Sequence, residues 1–135
     1  MGYKIDEIEG IGATYATKLR TAGIKNTDDF LTLCCDSKGR AHMAEKTGVS
    51  EKLLLKWANL ADLMRITGIG KQFSELLEAS GVDTVKELRN RNATNLAAKM
   101  AEVNTAKKLA RSTPSESMVT DWVTQAKTLP PTITH

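Results

Sequence analysis

Apolar residues recur along this chain at intervals of three and four, the spacing that paints one stripe on a helix, and β-branched residues form no alternating run. Ala, Leu, Lys, Glu and Met fill the periodic stretches, and these side chains lose little freedom on a helix. The pattern predicts helices near 4–8, 13–22, 28–35, 38–46, 50–66, 71–80, 85–91, 93–103, 105–111 and 114–128. Gly23, Gly48 and Gly81 stand where a left-handed residue would stop a helix. Thr27 before Asp28 and Asp29 reads as a helix start, with acids on the positive end of the dipole. Asn92 and Asn104 read as caps. Thr84–Glu87 and Thr113–Glu116 have capping-box spacing, and Pro114 suits a first helical position.

The pattern also repeats. At an offset of 58, Ile8, Gly10, Ile11, Gly12, Leu19 and Gly23 return as Ile66, Gly68, Ile69, Gly70, Leu77 and Gly81. Tyr15 returns as Phe73, Ala16 as Ser74, Ala22 as Ser80 and Ile24 as Val82. The matches fall on glycines and apolar positions, where backbone geometry and packing choose the residue. Ser50, Glu51 and Trp57 recur as Ser115, Glu116 and Trp122 at an offset of 65, so the second copy has seven extra residues between Leu88 and Pro114. Leu63 and Ile66 take the places of Ile5 and Ile8, so the helix from Ser50 is expected to run straight into the second copy without a linker. The expected architecture is all-α: two units, about 1–62 and 63–129, fused into one compact domain over 1–129. Residues 130–135, with Pro130 and Pro131, are expected to be extended.

Composition narrows the function. Apolar residues make up 41% of the 135, enough for one core, and Trp57 and Trp122 read as mid-helix core anchors. No apolar run approaches a membrane span and no charged-then-apolar leader opens the chain. The expectation is a cytoplasmic protein with no membrane partner. Adjacent Cys34 and Cys35 bridge only under strain, so both read as reduced thiols, one inward and one partly exposed. His42 is the only histidine near them, and His135 lies in the tail, so neither a metal nor another cofactor is expected. Net charge is +3, but Lys86–Arg111 holds seven Lys or Arg against Glu87 and Glu102. Such a run suits a polyanion partner or a solvated helix face.

The repeated motif carries the chemistry. Ile5, Ile8, Gly10-Ile11-Gly12, Ala16 and Leu19, then Leu63, Ile66, Gly68-Ile69-Gly70, Ser74 and Leu77, form the signature of a helix-hairpin-helix. The central Ile anchors the turn, and the glycines permit positive φ and close approach of another backbone. Main-chain N–H groups around Ile69 are expected to face water as unpaired donors, a seat for a phosphate oxygen. Candidate nucleic-acid contacts are Gly68, Ile69, Gly70, Lys71 and Gln72, with Gly10, Ile11, Gly12 and Thr14 in the first copy. Arg89 and Arg91 are further candidates, with Lys107, Lys108 and Arg111 as auxiliaries. The first hairpin suits an anion less well: Asp6, Glu7 and Glu9 surround it and Ala13 stands where a base would help, with Thr14, Lys18 and Arg20 as partial compensation. In the second, Thr67 and Gln72 are neutral and Lys71 opens the helix, although Glu75 and Glu78 follow. Nothing aromatic is placed to stack bases.

Two readings stay open. One is a sequence-independent binder of double-stranded DNA through its backbone. The other is an interaction or scaffold module, for another protein or for itself, with the hairpins as packing corners. An enzyme is not expected. The histidines are isolated, neither Gly-Ile-Gly turn leads into Gly-Lys-Ser/Thr, and no carboxylate pair sits in tuning apolar surroundings. No catalytic residue and no small-molecule substrate are assigned.

Beyond the hairpins, the chain resembles a bacterial family catalogued only as a domain of unknown function, number 4332. The matching stretches are I-E-G-I-G, K-W-A-N-L-A-D-L-M-R-I-T-G-I-G, G-V-D-T-V-K-E-L, E-V-N-T-A-K-K-L-A-R-S-T-P-S and D-W-V-T-Q-A-K-T-L-P, covering most of 5–131. The resemblance implies a tandem helix-hairpin-helix fold of SAM-like helical architecture. It brings no activity with it, so the DNA reading is analogy with the wider helix-hairpin-helix class.

Overall fold

Residues 2–135 are described in the computed structural model. They form a short 3-10 helix at Ile5–Glu7 and eight α-helices: α1 Ala13–Thr21, α2 Thr27–Cys34, α3 Ser37–Thr47, α4 Glu51–Leu63, α5 Lys71–Ala79, α6 Val85–Leu88, α7 Ala93–Lys107 and α8 Glu116–Thr128. Among the described residues there is no strand, only an isolated bridge between Lys4 and Asn26. The fold class is all-α, as the three-and-four spacing predicts.

Six helices open on a side-chain oxygen. Asn26, Asp36 and Asn92 accept the N–H groups of Asp29, Gly39 and Asn95 at 2.7–3.0 Å. Ser50, Thr84 and Ser115 accept from Leu53, Glu87 and Met118 at 3.1–3.2 Å. Each such bond satisfies one of the orphan donors at a helix start, worth about 1 kcal/mol. The α2 cap is therefore Asn26, not Thr27. The α8 cap is Ser115, not Thr113, with Pro114 buried ahead of it. Only α1 and α5, which follow the two Gly-Ile-Gly turns, open without a side-chain cap.

Three other boundaries differ from the pattern, the simplest being that α6 stops at Leu88 where a helix to 91 is expected. The helix from Ser50 does not reach Ile66; it ends at Leu63, and the Ile66 N–H returns three residues to the Leu63 carbonyl at 3.1 Å. Asn104 does not divide two helices. It lies buried inside α7, where Oδ1 accepts the Ala110 N–H at 2.9 Å and Nδ2 donates to the Ala110 carbonyl at 3.2 Å. That side chain folds residues 108–113 back on the helix end, and Lys108 at φ 53°, ψ 47° makes the reversal. The expected helix over 105–111 thus becomes the last α7 turn and a loop.

The chain divides into two compact units: residues up to Asp62 with Thr132–His135, and Leu63–Pro131. In the first, Ile5, Ile8, Leu19, Ile24, Phe30, Leu54 and Trp57 are buried. Tyr15 and Phe30 set ring edges on Trp57, at centroid separations of 5.0 and 6.4 Å. In the second, Leu63, Ile66, Ile69, Leu76, Leu77, Val82 and Trp122 belong to one apolar cluster, and Phe73 tilts on Trp122 at 5.2 Å. Truncating either tryptophan to Ala is expected to cost about 3–5 kcal/mol. Cys34 is buried and Cys35 partly exposed, both as free thiols. The segment after Pro131 is not helical, but its Ile133 is buried in the first unit.

Candidate functional site

Both Gly-Ile-Gly turns are built alike. Ile11 and Ile69 point into their cores, at 6% and 0% exposure, and their N–H groups donate to the Ile8 and Ile66 carbonyls at 3.2 and 3.1 Å. The first glycine of each turn sits in the left-handed half of backbone space, Gly10 at φ 93° and Gly68 at φ 100°. A Cβ there would meet an indole nitrogen, 3.4 Å from Trp57 Nε1 at Gly10 and 3.1 Å from Trp122 Nε1 at Gly68. Tryptophan and glycine therefore share one packing site in each copy, although they lie far apart in sequence.

The donors differ from the expectation. The Ile69 N–H is internally bonded, and the Thr67 N–H is taken by Gln125 Oε1 at 3.0 Å. Neither can receive a ligand in this conformation. Among the described residues around the turns, the N–H groups of Gly68, Gly70, Gln72 and Phe73, and correspondingly those of Gly10, Gly12, Thr14 and Tyr15, have no internal acceptor. Gly12 and Gly70 have ordinary negative φ, −84° and −108°, and a Cβ on either would meet nothing within 4 Å. Internal contacts therefore do not require glycine at these two positions. What the missing side chain leaves is open space before the helix start.

Charge separates the two turns. Lys71, exposed, is the first residue of α5. Gln72 Oε1 accepts the Arg111 N–H at 3.0 Å, which ties the exposed loop bearing Lys108 and Arg111 to the first turn of α5. Of the proposed auxiliary cations, Arg111 thus lies beside the turn. Arg91 is committed elsewhere: Nε pairs with Glu87 Oε1 at 3.1 Å and Nη2 donates to the Gly81 carbonyl at 2.9 Å. Arg89 lies in the turn after α6, and no hydrogen bond or ion pair joins its side chain to the α5 start. Around the first turn, Arg20 faces Asp6 at 3.7 Å, Glu7 accepts the Lys4 N–H at 3.1 Å, and Thr14 is exposed. The first unit holds nine Lys and Arg against nine acids, the second ten against seven. The whole formal excess of the chain resides in the second unit.

Sequence reasoning missed Gln125. Its Nε2 also donates to the Thr67 carbonyl at 3.1 Å and to Asp121 Oδ2 at 2.9 Å, so one carboxamide braces the approach to Gly68. The signal was available: at the 65-residue offset the first copy has Leu60, which is buried and has no such groups.

The family model described as a domain of unknown function (DUF4332) matches residues 9–129. The chain belongs to the DUF4332 family. No curated protein and no solved structure gives a match. Among the described residues of this DUF4332 chain, no helix is long and apolar enough to cross a membrane, and no group of three His, Cys, Asp or Glu could hold a metal ion.

Proposed function

We propose that this chain is a non-enzymatic binding module of two helix-hairpin-helix units that grips the sugar–phosphate backbone of duplex DNA without reading bases. The second unit makes the grip. The observation that carries this reading is the start of α5: a helix N-terminus left uncapped in a chain that caps six others, with Lys71 on it and the Arg111 loop tied beside it. A helix start without a cap offers aligned N–H donors and the positive end of the dipole, and a phosphate oxygen supplies the missing acceptor. Gly70 keeps the approach open. Arg91 drops out of the contact set, since its guanidinium is spent on Glu87 and Gly81. Ile11 and Ile69 serve as anchors of the turns, not as contacts.

The first unit favours the other use of the same hairpin. Its turn is uncapped too, but Asp6, Glu7 and Glu9 stand around it and its charges balance. Its role is architectural, as a packing corner or a surface for a protein partner.

Binding of two unrelated duplexes, followed by fluorescence anisotropy at low and moderate salt, tests the proposal. Comparable affinities that weaken steeply with salt are expected, with Lys71→Glu reducing both. Absence of binding at low salt removes the DNA reading and leaves the interaction module.

A further inference from the structure

The first unit buries a guanidinium, that of Arg40, which is 4% exposed. Its Nη1 donates to the Cys34 carbonyl at 3.0 Å and its Nη2 to the Thr134 carbonyl at 2.7 Å. Among the described residues no ion pair to a carboxylate accompanies it, although a buried guanidinium ordinarily brings one. Thr134 answers from the other side: its N–H donates to the Cys35 carbonyl at 2.8 Å and its hydroxyl to the same oxygen at 3.4 Å. Beside it Ile133 is 8% exposed. The residues held this way follow Pro131, where the second unit ends, so in sequence the second unit is bracketed by the first.

We infer that Thr132–His135 is a latch, a strap that docks on Arg40 and the Cys34–Cys35 carbonyls and opens without unfolding the helices. Its hold is one apolar side chain and a few hydrogen bonds, which puts it at the low end of local stability. Pro130 and Pro131 carry no N–H, so nothing helical draws the segment back towards α8. Arg40 couples the strap to the corner between α2 and α3. Nη2 has the Thr134 carbonyl as its acceptor, and opening leaves a buried charged donor half-satisfied.

Thermal unfolding of the full chain, a chain ending at Pro131, the Arg40→Met variant and the combination tests this. Truncation is expected to lower the midpoint by about 3–8 °C. Arg40→Met should cost less than half as much in the truncated chain as in the full one, because the two changes remove one shared interaction. An unchanged midpoint on truncation, or losses that simply add, overturns the latch. Hydrogen exchange on the unaltered chain gives an independent reading should Arg40→Met fail to fold. The Thr134 amide should exchange more slowly than an unprotected amide and faster than that of Phe30 in α2. Exchange at either of those two limits contradicts a latch that opens on its own.

Discussion

Gln125 holds Thr67 by both of its main-chain groups, accepting the N–H at 3.0 Å and donating to the carbonyl at 3.1 Å. The bond from the same Nε2 to Asp121 at 2.9 Å fixes which end of the carboxamide faces which group. A side chain of α8 thereby does for the second turn what a neighbouring strand would do in a sheet. Gln125→Leu, which installs the residue type of Leu60, should cost about 1 kcal/mol in urea unfolding, given the exposure of the bonds. The Thr67 amide should exchange faster in that variant. Unchanged exchange at Thr67 contradicts the brace.

Gly68 and Trp122 should respond as one site. An alanine at Gly68 is strained at φ 100°, and its methyl would approach Trp122 Nε1 to 3.1 Å. Gly68→Ala is therefore expected to lose about 1–3 kcal/mol. Gly10→Ala carries the same backbone strain but a looser 3.4 Å approach to Trp57, so its loss should be no larger. Chemical denaturation of both variants checks the ordering.

Gly70 separates stability from binding. Gly70→Asp places a carboxylate where α5 lacks a cap, so it should stabilise the helix by a few tenths to about 1 kcal/mol. The same carboxylate occupies the donors proposed for phosphate and repels it. DNA affinity should fall while the unfolding midpoint stays level or rises. Gly12→Asp should share the gain in stability and leave affinity unchanged. Equal loss of affinity in both variants would mean that the two turns contribute alike.

The helices and the repeat were legible because they rest on local rules. Period, capping residues and paired glycines are written in consecutive residues, and Trp57 and Trp122 declared themselves by recurring. Tertiary substitution was not legible. Asn104 looks like a cap by type, yet its partner is Ala110, reached only once the loop folds back. Arg91 counts as a free cation in a charge tally, but Glu87 and the Gly81 carbonyl are within its reach in space. The turn was legible as a motif, but the free donor expected at Ile69 is absent, because the turn closes its own Ile66–Ile69 bond, which only the folded backbone reveals.

Cys34 gives a pH test of the first core. Burial pushes its thiol from 9.0 up to about 12, against a smaller lowering by Arg40. Between those values the unfolded chain releases a proton that the folded chain keeps, so stability is fully present below pH 9.0 and falls as pH rises towards about 12. Cys34→Ser should flatten that part of the stability profile. At neutral pH a thiol reagent should modify Cys35 first and reach Cys34 only when the unit opens. Equal labelling rates for the two would contradict the buried placement.

In the proposed complex a phosphate oxygen sits at the start of α5. Amide chemical shifts, followed residue by residue during titration with a short duplex at low salt, show whether it does. Saturating shifts are expected at Gly70, Gln72 and Phe73, with little movement at Ile69 or at Gly12 and Thr14. Shifts spread over the first turn or confined to other surfaces, with the α5 start silent, would contradict it.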